Sequence, residues 1–298
     1  MALLVFLTFL SLIVNQYVPV WMKDSEASHM DAAVGQFADL KGAIDYQVLG
    51  ALMAQNAGAP FIPSTTSTSV TLGVDGVPIF SSATPGSLSS NPDNGVWNIS
   101  FQYRINNVLT YFWQNATGQV DLTVQNRYYP AGDIVYENGA VIRSQPDGQV
   151  IRAAPTFQAS IGATNINIGF ELINLYGSGS TAGTTTQIID TKVFGVNQQS
   201  YANLTAPLQI IHTSAYGRAW FSYFNSTLSS GLKPPAATYS VVGPITTVTS
   251  TYYTITLLNL GTGLYRVSLV INVAPLSVSF TLQQAFVNVG IGQGSKSV

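Results

Sequence analysis

Cysteine is absent from the 298 residues and charge is scarce, with Lys, Arg, Asp and Glu together making up 8%. The first absence excludes a disulfide framework and thiolate chemistry. It does not exclude an extracellular setting, because a chain of this length needs no covalent staples. The second leaves a surface that is uncharged and polar, covered by sugar, or hidden against other copies, since soluble domains are usually about one quarter charged. A net charge of −2 provides no bulk attraction to nucleic acid or to an acidic membrane surface. Histidine occurs only at His29 and His212, so a metal pair has no evident third ligand and both read as structural. No G-x-S-x-G elbow supports a serine triad. The tail GIGQGSK (residues 290–296) has the wrong spacing for a phosphate loop and reads as a flexible terminus. Carboxylates such as Asp133 and Glu137 have the residue type of a glycosidase couple but flank a hairpin strand. No catalytic residue, cofactor or metal is expected.

The few charges are unevenly placed. Residues 75–190 carry eight acids and four arginines, whereas after Asp190 only Lys192, Arg218, Lys233, Arg266 and Lys296 remain. The two portions are suited to attract one another within or between subunits, although sparse solvated charges are the simpler expectation.

What is present begins at the N-terminus. Residues 1–21 are almost wholly apolar and, as a helix of about 30 Å, reach across a hydrocarbon core. The large apolar side chains singled out for packing in such an environment are Leu3, Leu4, Phe6, Leu7, Phe9, Leu10, Leu12, Ile13, Val14, Tyr17, Val18, Val20 and Trp21. A secretory signal would show a basic n-region and a small-residue cleavage site, and neither is visible. Pro19 removes one helical hydrogen bond and predicts a kink over residues 17–20.

Residues 22–57 have a different pattern. Met30, Val34, Phe37, Leu40, Ile44, Val48 and Leu52 recur at steps of three and four, a helical stripe opposed by Asp31, Asp39, Lys41 and Asp45. The first segment therefore needs an apolar environment all round, and the second needs a partner on one side and water on the other. A membrane anchor with a stalk satisfies both requirements, as does a polymer whose first segments share a common core.

Gly58, Pro60 and Pro63 then end the helix in a hinge at 58–69, and residues 70–298 read as a β-rich head without a further convincing helix. Strand-like runs include VWNISFQYRI, TNINIGFELINLY, RAWFSYFN and LYRVSLVINV. The run 133–153 holds Asn138-Gly139 and Pro146-Asp147-Gly148, which predict a three-stranded meander. The expected fold is α+β: a long kinked N-terminal helix followed by a large antiparallel β-sandwich-type head, with a long loop or subdomain seam at 176–186.

Sequons at Asn98, Asn115, Asn203 and Asn225 make N-linked glycan an expectation for an exported chain. Tyr111, Trp113, Trp220, Tyr223, Tyr252 and Tyr253 have the character of a carbohydrate-binding face, though aromatic residues on strands more often belong to cores.

The helix VPVWMKDSEASHM leading into QFADLKGAIDYQ, then TLGVDGVPIF, TPGSLS and VYENGAVIRSQPDGQVIRAAPTF, resembles the archaeal type IV pilin-like surface proteins. The more specific parts are Glu26, His29 and Met30 with Phe37 and Leu40, and the Tyr136–Gly139 hairpin with Pro155. The resemblance covers the helix and about the next hundred residues. It implies a membrane-held precursor, cut by a prepilin peptidase and assembled by an ATPase-driven machine into an extracellular filament of identical subunits, with apolar helices inside and β-rich heads outside. The short basic leader of such precursors does not precede Met1, so the chain reads as the processed form or as a membrane-anchored relative. The glutamate near the mature start of bacterial pilins is also missing, with Val5 and Phe6 in that neighbourhood. The expected function is a structural, non-catalytic pilin for adhesion or surface interaction. The alternatives are a single-pass membrane-anchored surface glycoprotein and an exported carbohydrate-binding β-sandwich.

Overall fold

The computed structural model describes residues 2–76 and 81–292. Helix α1 (Ala2–Leu12) continues through a π-helical turn (Ile13–Tyr17) into α2 (Val18–Asn56). At 1.5 Å per residue the run is about 80 Å long. The irregularity lies one turn ahead of the expected residues 17–20. Pro19 has no N–H for the carbonyl four residues back, so the disturbance falls on the preceding turn, where the Val18 N–H bonds the Ile13 carbonyl in an i to i−5 step.

Three sheets make the head. The five-stranded sheet runs in the order β1 (Thr66–Thr71), β12 (Thr186–Tyr201), β18 (Ser277–Ile291), β10 (Asn165–Tyr176) and β9 (Phe157–Ile161). The six-stranded sheet runs β11 (Gly179–Gly183), β2 (Gly86–Asn91), β5 (Gln119–Val124), β6 (Gly132–Glu137), β7 (Ala140–Gln145) and β8 (Gly148–Ala153). The seven-stranded sheet runs β14 (Ala237–Val242), β15 (Ile245–Ser250), β16 (Tyr253–Gly261), β17 (Leu264–Ile271), β13 (Leu208–Ser214), β3 (Val96–Ile105) and β4 (Val108–Ala116). Pairing is antiparallel except between β10 and β18, which run parallel with Asn165 opposite Ser277. Their separation in sequence supplies the long crossover that parallel strands require.

The predicted meander is β6-β7-β8. At its first turn Asn138 and Gly139 have φ of 45° and 75°, the positive pair that a type I′ hairpin demands. Two expectations are corrected. RAWFSYFN is not a strand but belongs to helix α3 (Gly217–Leu232), which buries Trp220, Phe224, Leu228 and Leu232 at intervals of four. The stretch 176–186 is not a free loop, because β11 within it pairs with β2.

Two apolar cores share the central strands. One lies under α2, where Met30, Phe37, Leu40, Ile44 and Val48 meet Val120, Leu122, Ile134, Tyr136 and Val287. The other contains α3 with Trp97, Phe101, Phe170 and Phe280. Strand β6 separates them, giving Ile134 and Tyr136 to the first and Val135 to the second. β10 and β18 run lengthwise through both, with Phe170 and Phe280 in one core and Leu175 and Val287 in the other.

Candidate functional site

The N-terminal helix divides by exposure as its sequence pattern demands. No residue of α1 is buried, and large apolar side chains from Leu3 (74% exposed) to Trp21 (51%) face outward. Leu10 and Ile13 are half-buried and Val18 is buried. Val18 therefore departs from the expected all-round apolar surface. With Met22, Glu26, Met30, Ala33 and Phe37 it begins the buried face, at steps of three and four. Val34 and Leu52 complete the predicted stripe as half-buried members of the core. By length and composition this helix suffices to cross a membrane.

Specific polar contacts fix the helix on the head. The carboxylate of Glu26 is wholly buried. It accepts from the Thr84 hydroxyl (2.7 Å) and from the backbone N–H groups of Arg127 (3.1 Å), Tyr128 (2.8 Å) and Tyr129 (2.7 Å). Burial pushes its pKa up, but the four donors together outweigh that, and the carboxyl lies below its ordinary range. One turn on, His29 Nε2 lies 2.9 Å from the Thr71 carbonyl oxygen. Gln36 accepts from the Thr71 N–H at 3.0 Å. Gln47 accepts from the Val193 N–H (2.8 Å), and its amide nitrogen donates to the Thr191 carbonyl (3.3 Å). β1 pairs with β12 only as far as Thr66 opposite Thr191, so beyond that point the Gln47 amide stands where a strand is missing. Arg143 donates to Asp31 at 2.7 Å, and Lys41 to Asp45 at 2.5 Å. These pairs use acids of the helix itself and not the base-rich C-terminal portion.

The other residues singled out in the sequence are arranged structurally. His212 stacks on Trp97 at 3.8 Å, and its Nε2 is 2.6 Å from Glu137 Oε1, which also accepts from the Trp220 indole N–H at 2.6 Å. Glu137 Oε2 has no hydrogen-bond partner among the described residues. At Gly95, where φ is +64°, a Cβ would come within 3.0 Å of that oxygen, so the backbone seals the pocket. Asp133 bonds Thr123 at 2.7 Å, and burial raises its pKa. It lies four residues before Glu137 on one strand, about 13 Å at 3.3 Å per residue, beyond the roughly 5–9.5 Å of glycosidase couples. No cluster of three metal-ligating side chains occurs among the described residues. The tail beyond Gly292 and residues 77–80, part of TLGVDGVPIF, lie outside the described residues.

The six aromatic residues do not form one face. Trp220 and Tyr253 are buried and Tyr223 and Tyr252 are half-buried, while Tyr111 and Trp113 are exposed on β4. Asn115 and Asn203 are exposed, and Asn98 and Asn225 half-buried. An open pocket of about 360 Å³ on one face of the five-stranded sheet, across β9, β10, β18 and β12, is lined by uncharged groups including Gln158, Ser160, Asn167 and Gln283. Sequence reasoning missed the anchoring roles of Glu26, Gln36 and Gln47. Glutamines at 36 and 47, interrupting or flanking an apolar stripe, were the available signal.

No curated protein and no solved structure matches the chain. Residues 106–258, slightly more than half of the 298, match the Family of unknown function (DUF7289). That span runs from the β3–β4 turn into β16 and includes α3. The chain belongs to this family.

Proposed function

We propose that the protein is a structural subunit of an extracellular helical filament of the type IV pilin kind, polymerising through its apolar N-terminal helix. The observation that carries this reading is the division of one continuous helix. From Val18 onward it is clamped to the head, and before that point it has no buried residue. About ten large side chains there, at roughly 1.5–3 kcal/mol each, would release some 15–30 kcal/mol of gross burial energy in a shared core. Part of that offsets the cost of association. Before assembly the same segment rests in a membrane. A peptidase and an ATPase-driven machine complete the picture through the resemblance to archaeal pilins. Adhesion or surface contact is the role such a fibre serves.

The full chain, purified in detergent and then freed of it, should form uniform filaments visible by electron microscopy. Phe6→Asp should abolish them without changing the circular dichroism of the head, because Phe6 is exposed. Wild-type protein that stays monomeric, or enters vesicles as single copies, would turn the helix into an anchor and refute the polymer.

A further inference from the structure

The edges of the three sheets are treated unequally. β1 lies against α2, and Gln36 bonds its last residue, Thr71. β8 and β9 lie against α3, where Gly231 comes so close to the Ala159 carbonyl that a Cβ would sit 2.2 Å from it. β11 is five residues long with a glycine at each end. The seven-stranded sheet has no such cover at either edge among the described residues. All six residues of β14 are exposed, Tyr239 at 68% and Val242 at 72%. At the far edge, Val108, Leu109, Tyr111 and Trp113 of β4 are exposed, while the chain just past its end is held by β10 through the Leu175 N–H to Thr117 carbonyl bond of 2.9 Å.

Neither edge carries the lysine, inward charge or internal proline with which soluble proteins blunt such edges. No charged residue occurs between Lys233 and Arg266, or between Arg104 and Asp121. An edge strand offers a row of backbone N–H and C=O groups that water hydrates and that another strand can pair with. The open part of β4, residues 108–113, is as long as β14, residues 237–242. The two edges lie at opposite ends of one sheet, so joining one to the other between copies is heterologous and does not close on a pair.

We propose that β14 of one subunit adds to β4 of the next, extending the seven-stranded sheet from copy to copy. This rests on the polymer reading and supplies its outer contact, so the filament is held by apolar helices within and by strand pairing between heads. The occupant of each edge is a second copy of this chain. The uncharged sequence is what lets the edges meet without desolvating a charge.

The absence of cysteine gives a clean test. Full-length Thr110→Cys is combined, in three separate chains, with Thr238→Cys, Ser240→Cys or Val242→Cys. After detergent removal and a short bismaleimide, at least one double variant should give a ladder of covalent dimers, trimers and longer species, while T110C and S240C alone should not. No ladder from any of the three overturns the edge pairing, even where microscopy shows filaments, and the helix-driven polymer then stands alone. A ladder from double variants that form no filaments even with Phe6 intact keeps the edge contact and overturns the polymer reading. As a second measurement, Tyr239→Lys with Val241→Lys should lower filament yield roughly tenfold or more, with the melting temperature of the head unchanged. Wild-type yield from that variant also overturns the pairing.

Discussion

Removing the charge at Glu26 perturbs the most specific contact between helix and head. The carboxylate is wholly buried, and both oxygens are used, Oε1 by Thr84 and Arg127 and Oε2 by Tyr128 and Tyr129. In Glu26→Gln one oxygen becomes an NH2 group that must face donors. At about 1.5–3 kcal/mol for a hydrogen bond to a charged acceptor, and with bonds in one network not additive, the loss should be about 2–4 kcal/mol. Glu26→Ala should cost slightly more, because three backbone N–H groups are left buried without an acceptor. The assay is thermal unfolding of full-length protein in detergent, with hydrogen exchange at the amides of residues 127–129 as the local readout.

The pH dependence gives the sign. The folded-state pKa lies below the unfolded value of about 4.3, so this stabilisation is fully present above that value. It disappears as pH falls through the lower, folded pKa. Wild type and E26Q should therefore differ most near neutrality and converge in acid. A difference under about 0.5 kcal/mol at neutral pH, or one that grows as pH falls, would show that the four donors do not hold the helix and would refute the reasoning.

Three further outcomes follow from other contacts. Glu171 is buried and near Asp45, and burial above all raises its pKa. Its favourable contribution is therefore present below the unfolded pKa and lost as pH rises through the folded one, so Glu171→Gln should melt higher than wild type at pH 7 and equal it near pH 4. Gln47→Ala leaves the Val193 N–H and the Thr191 carbonyl without their side-chain partner. It should cost about 1–3 kcal/mol in urea unfolding, with faster exchange at Val193. Trp220→Ala empties the centre of the α3 core and removes a donor from Glu137. A loss of about 3–5 kcal/mol by denaturant titration is expected, and one below 1 kcal/mol would mean that the core collapses around the gap.

How much was legible depended on whether the signal was local. The Asn138-Gly139 turn was readable because two adjacent residues must both take positive φ. Helix α3 was not read, because Trp220, Phe221, Tyr223 and Phe224 carry strong β character in a short window. What spoke against a strand was the wider step from Trp220 to Phe224, Leu228 and Leu232, with Pro234-Pro235 beyond it. The 176–186 segment looked like a loop for its glycines and small residues, yet β11 finds its partner in β2, far away in sequence.

The sequence by itself determined that the first segment of the helix must be surrounded by apolar matter and that the second must lie on something. Hydrophobic periodicity is a property of neighbours along the chain. Tertiary structure alone decided what the second segment lies on. Glu26 meets donors about a hundred residues away and Gln47 meets β12 still further on, partnerships that exist only once the chain has closed. The bare edges are likewise a consequence of strand order. Nothing in the residues of β14 or β4 marks either as an edge, and only their places at the two ends of one sheet leave one side of each backbone without a strand partner among the described residues.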